Sequence, residues 1–185
     1  MAIALVNKQK HKEKFRLVEN PKIIVLGLVH EPPEEIRYSA NTSRMFESSG
    51  KSVDLCGKQI QGTGRSKVVY LCGSFVRYRN DRTYCCYEAN ELGLKWSRQV
   101  KDKHPVTGLE TGTSSYSNLG NINVNIIFDT KAPYLTENPT QFGYIYSTDE
   151  LIAGDIVGDF LIRETRKVNG LYYSRFEYKV VKPNG

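Results

Sequence analysis

Ile156-Val-Gly-Asp-Phe-Leu-Ile-Arg-Glu-Thr-Arg-Lys-Val-Asn169-Gly170-Leu-Tyr-Tyr-Ser-Arg-Phe-Glu-Tyr-Lys-Val-Val181 is the stretch that decides the fold. Two runs rich in β-branched and aromatic residues flank Asn169-Gly170, a dipeptide whose members both tolerate positive φ and so close a two-residue hairpin. In the second run Tyr172, Phe176, Tyr178 and Val180 fall on one face, while Tyr173, Arg175, Glu177 and Lys179 fall on the other. That period of two is the mark of a half-buried strand. Strict pairing back from the turn sets Arg163 and Lys167 on the apolar face, so a bulge or an edge position is expected in the first run.

The same period recurs upstream. Lys22 to His30, holding Ile23, Ile24, Val25, Leu26, Leu28 and Val29, is short enough to be a buried strand, closed by Pro32-Pro33, since proline lacks a donor and restrains the residue before it. Lys51–Cys56, Lys67–Arg79, Arg82–Ala89, Asn121–Asp129 and Phe142–Tyr146 read as further strands, with turns at Gly62-Thr63-Gly64 and Asn80-Asp81. Glu88–Val100 is the one helix candidate, because Ala89, Leu92, Trp96 and Val100 fall near helical spacing, although Gly93 weakens it. From His104 to Gly120 the chain is rich in Gly, Ser and Thr and reads as a long surface loop. The expected fold is therefore mainly β, an antiparallel β-sandwich or jelly roll of about eight strands with at most one short helix.

Charge is unevenly placed along the 185 residues. Residues 1–20 hold five basic side chains against Glu13 and Glu19, and 129–159 hold six acids against Lys131 alone. Residues 160–185 return to six basic groups against two glutamates. Such segregation lets opposite faces of two copies attract. Residues 1–20 thus read as a basic arm, and 21–185 as a single β-rich domain. In the arm Lys8, Lys10, Lys12, Lys14 and Arg16 surround Phe15, its one large apolar side chain, which favours a flexible cation able to hold a polyanion. Arg77, Arg79 and Arg82 interleave with Tyr78 and Tyr84, and with Tyr70, Phe75 and Tyr87. Rings that stack on unpaired bases and arginines that meet phosphates make this a second nucleic-acid candidate; its ordinary alternative is a strand pair with half-buried tyrosines.

No catalytic, metal or cofactor site is expected. Gly57 to Gly64 resembles a phosphate loop only superficially, because Thr63 stands where the phosphate-contacting lysine belongs and no helix follows. Cys56, Cys72, Cys85 and Cys86 lack the close pairs of a zinc site, and as adjacent strand residues Cys85 and Cys86 face opposite ways. His11, His30 and His104 show no pairing with a nucleophile. Asp149, Glu150, Asp155 and Asp159 lack the spacing of a calcium loop, leaving a solvated acidic face as the plainer reading and calcium between subunits as the other. Met1–Val6 is too short an apolar run for a secretory leader, and no window approaches ~18 apolar residues. A reduced cytoplasmic or nuclear setting follows, in which Asn41-Thr42-Ser43 stays unglycosylated.

A basic amino-terminal arm before a shell-sized β body resembles the coat proteins of small non-enveloped viruses. The resemblance implies a jelly-roll shell that assembles from copies of itself, with Lys8, Lys10, Lys12, Lys14 and Arg16 facing single-stranded nucleic acid without sequence preference. It also implies a place in the virion and in the host cytoplasm or nucleus. A viral matrix protein lining an envelope, and a monomeric β-rich nucleic-acid-binding module, share the same composition.

Overall fold

The computed structural model describes residues 12–32, 43–49, 53–64, 67–78, 81–129 and 142–178. Among these the chain is mainly β, with twelve strands, antiparallel pairing throughout and no helix. Two compact units result: residues up to Asn90 together with Lys167–Leu171, and Glu91–Arg166 together with the segment from Tyr172 onward.

In the first unit β1 (Glu13–Leu17), β2 (Ile24–His30), β3 (Ser43–Ser48), β4 (Lys58–Gly62), β5 (Val69–Tyr78) and β6 (Asp81–Glu88) close into a ring in the order β1-β2-β3-β6-β5-β4. Closure gives each of these six strands a partner on both sides. Inward side chains form its core: Phe15, Leu17, Val25, Phe46, Leu55, Ile60, Cys72, Tyr84 and Cys86. Gly27 in β2 is a packing requirement, because a Cβ there would overlap the Phe46 ring and lie 2.8 Å from the Glu47 carbonyl.

A second sheet closes in the same way. Its strands are β7 (Glu91–Lys103), β8 (Glu110–Phe128), β9 (Phe142–Ser147), β10 (Ile156–Val157), β11 (Phe160–Val168) and β12 (Leu171–Tyr178), in the order β10-β11-β12-β9-β8-β7. Ile122, Val124, Ile126, Ile145, Leu151, Val157, Ile162 and Phe176 fill it, with Leu94, Trp96 and Phe160 packed against them.

The hairpin at Asn169-Gly170 forms as the dipeptide demands, with φ of 50° and 82°. Strict counting from that turn sets Arg163 opposite buried Phe176. Instead Arg163 is exposed and pairs with Glu177, while Ile162 takes the buried place.

Four expectations are corrected. Twelve strands in two closed six-stranded sheets stand in place of the expected eight-stranded sandwich or jelly roll. Glu91–Val100 is strand, not helix: Leu94 and Trp96 alternate onto the core, Leu92 and Val100 are exposed, and Gly93 sits at φ 65°. The expected loop is reduced to a turn at residues 104–109, because the Ser/Thr-rich segment after it pairs with β7 as the first half of β8. Around Cys56 the strand begins only at Lys58, with Cys56-Gly57 forming a turn before it. Asn80, Pro33 and Asn41-Thr42 lie outside the described residues.

All four cysteines are free thiols. Cys72 and Cys86 pair across β5 and β6 with Sγ atoms 3.3 Å apart, and both are buried. Burial pushes the Cys86 thiol well up, as does its bond with Cys72. Burial also raises Cys85, and raises Cys56 beside Asp54. Only the thiolate reacts, so a raised value means little reactive form at neutral pH. With an aromatic disulfide reagent the native protein should react slowly, at Cys56 and Cys85 only, and faster as pH rises. All four should react in denaturant. Fast labelling of Cys72 or Cys86 in the native state, located by mass spectrometry, would contradict this packing.

Candidate nucleic-acid interface

Of the arm residues, Lys8 and Lys10 lie outside the described residues. Lys12, Lys14 and Arg16 are described and exposed, but Lys14 and Arg16 stand on a strand rather than a free tail. The alternation of Glu13–Leu17 sends Phe15 and Leu17 into the core, 2% and 1% exposed. Their burial makes residues 13–17 one stave of the first ring. Arg16 donates from Nε and Nη2 to Gln61 Oε1 on β4, at 3.1 and 2.6 Å. Its outward neighbours across β2 are Ile24 and Leu26, both exposed.

The second candidate separates into parts. Arg79 lies outside the described residues, and Arg77 and Tyr78 stand at the end of β5 opposite Arg82 and Asp81. Tyr84 is fully buried: its hydroxyl accepts from the Leu55 amide at 3.3 Å and donates to Asp54 Oδ1 at 3.5 Å. It therefore has no ring face for a base, and its place as a binding residue is corrected to core. What stays at the surface is Arg82 with its guanidinium 5.2 Å from the centre of the half-exposed Phe75 ring.

A fuller constellation lies on the outer face of the second sheet. On β9 the alternation Phe142, Tyr144, Tyr146 points one way while Gly143, Ile145 and Ser147 are buried. Register sets Tyr146 opposite Tyr173 and Tyr144 opposite Arg175 on β12. Tyr144 and Tyr173 stack at 4.8 Å and 19°, and Tyr146 meets Tyr173 edge-on at 5.1 Å. Arg166 lies 4.9 Å over the Tyr173 ring and Arg175 5.6 Å over Phe142. Burial, then the neighbouring Tyr144 phenol, pushes the Tyr173 phenol far up, so it stays neutral. The signal was present in the two-residue alternation of 142–146 and in the Tyr173-Arg175 face. Their pairing was not, because the strands are far apart in sequence.

The acidic stretch also resolves. Asp155 is fully buried and accepts four bonds: Trp96 Nε1 at 3.0 Å, Arg98 Nε and Nη2 at 2.9 Å each, and the Ile152 amide at 3.0 Å. It is a structural carboxylate, not part of a solvated acidic face. That pairing in turn raises the Arg98 guanidinium. Beside it a cavity of about 340 Å³ runs along Arg98, Lys101, Glu110, Ser114 and Ile152. Its charges are already matched, since Lys101 Nζ bonds Glu110 at 2.7 Å.

Beyond Arg98 the β7–β8 pair continues as a two-stranded ribbon. From Arg98 to Lys103 it extends roughly 20 Å at ~3.3 Å per residue. His104 closes its tip, its Nδ1 accepting from the Val106 and Thr107 amides at 3.3 Å. The ribbon exposes Val100, Val106, Leu109 and Tyr116, with Val106 86% and Leu109 71% open.

Among the described residues no three of His, Cys, Asp and Glu come together as metal ligands, and no helix is long and apolar enough to cross a membrane. No family model matches the chain, and neither a curated protein nor a solved structure does.

Proposed function

We propose that this chain is a non-enzymatic, self-assembling structural protein of the viral coat type, whose copies join through the β7–β8 ribbon and which holds nucleic acid through its basic side chains. The observation that carries the reading is the ribbon. A two-stranded hairpin is marginal in water by itself, and this one presents large apolar side chains at its tip where its own sheet does not cover them. A second copy is the cover this reading assigns, because exposed acids such as Glu150 and Asp159 on one copy and exposed Arg166 and Arg175 on another attract one another. Residence in a virion, and in the host cytoplasm or nucleus, belongs to this reading. The arginine-and-tyrosine face of the second sheet keeps the monomeric nucleic-acid-binding module as the second reading. The matrix-type role gains no observation of its own.

Sedimentation velocity tests assembly. The intact chain should sediment well above its 21.0 kDa monomer. The variant Val106→Asp with Leu109→Asp should sediment as the monomer, with an unchanged β spectrum, because both side chains are exposed. A monomer at every concentration for the intact chain, or large assemblies persisting in the variant, would remove the ribbon reading. Asp155 is unsuited to such charge-reversal tests, since its replacement attacks the second core.

A further inference from the structure

The face built by β9 and β12 in the second unit differs from an ordinary aromatic ladder in one respect. Arg166 and Arg175 are exposed and lie against the rings, and no carboxylate among the described residues pairs with either. The neighbouring Arg163 is instead neutralised by Glu177. An arginine plane over a tyrosine occupies the position that a nucleobase takes when it stacks, and the same guanidinium can then meet the phosphate of that nucleotide.

We propose that the outer face of β9 and β12 is a binding site for single-stranded nucleic acid, in which bases stack on Tyr144, Tyr146 and Tyr173, while Arg166, displaced from Tyr173, and Arg175, beside the neighbouring Phe142, meet the flanking phosphates. The proposal deepens the nucleic-acid part of the reading above and rests on it. Half-buried rings suit the role. They are held in place by the sheet and by one another, so little ring freedom is lost on binding. Every base has a π-face, so selection is for unpaired strands rather than sequence. Duplexes, whose bases are already stacked, are poor ligands for such a face.

The test is fluorescence anisotropy with two labelled probes of equal length, an oligothymidylate and an abasic deoxyribose-phosphate oligomer, using the full chain. The intact protein should bind the base-bearing probe more tightly. Tyr144→Ala and Tyr146→Ala should each weaken that binding roughly 5- to 150-fold, the range for loss of one base stack, and leave the abasic probe nearly unchanged. Arg166→Gln and Arg175→Gln should weaken both probes and flatten the salt dependence. Tyr173→Phe, which keeps the stacked ring, should bind as the intact chain does; it serves where Tyr173→Ala fails to fold. Equal binding of the two probes by the intact protein, or tyrosine variants that bind as it does, would overturn the stacking site while leaving nucleic-acid binding standing. No binding of either probe at low salt would overturn both.

Discussion

Arg98→Ala should lower the stability of the second sheet by about 3 kcal/mol, the low end of what breaking a buried ion pair costs. Two facts set the size. Asp155 is wholly buried, so deleting its partner leaves a carboxylate that water cannot reach. Arg98 keeps 31% of its side chain exposed, and the Trp96 indole and the Ile152 amide still donate to Asp155, which holds the loss below the top of the range. Arg98→Lys should recover only part of it, because an ammonium cannot supply the two parallel bonds of the guanidinium fork. Urea unfolding read by Trp96 fluorescence reports directly on this site. A change under about 0.5 kcal/mol, the scale of an ordinary surface substitution, would mean the pair does not hold the β7–β10 corner together.

Phe46→Ala should cost the first sheet about 3–5 kcal/mol, the usual range for emptying a core phenylalanine site. Its ring is fully buried and meets Phe15 edge-on at 5.0 Å. A double-mutant cycle with Gly27 tests the fit between them. Gly27→Ala alone should destabilise strongly, because its new methyl overlaps the Phe46 ring. With Phe46→Ala already present the methyl enters the vacated space, and the remaining penalty comes from the Glu47 carbonyl at 2.8 Å. Additive losses in amide-exchange or denaturant measurements would show that the two positions are not coupled.

How much of this was legible beforehand depends on the range over which each feature is determined. The Asn169-Gly170 hairpin is local chemistry: two residues suited to positive φ between two alternating runs specify it. Mainly antiparallel β structure was legible for the same reason. Ring closure was not, since it depends on strands such as β1 and β4 meeting across the intervening β2 and β3. Glu91–Val100 has apolar residues at both helical and strand spacing, and only the ladder with β8 decides between them. Tyr84 and Tyr144 are the same residue type in similar strands; long-range packing buries one in a core and leaves the other half open. Asp155 looked like one acid among several, because the arginine that explains it stands 57 residues away.

The placement of Lys167–Leu171 in the first unit has a consequence for how the protein is made. A ribosome finishes β1 to β6 long before it reaches the β11–β12 turn. During that interval the Ser74 amide lacks the Asn169 carbonyl it will bond, and the space beside Cys56 that Gly170 fills is empty. At ~5–20 residues per second the wait lasts roughly 4–16 s. The first unit is therefore completed by a turn that emerges only after β7 to β10. A nascent chain halted at Asn90 should be more open to proteolysis around Ser74 than the same residues in the finished protein.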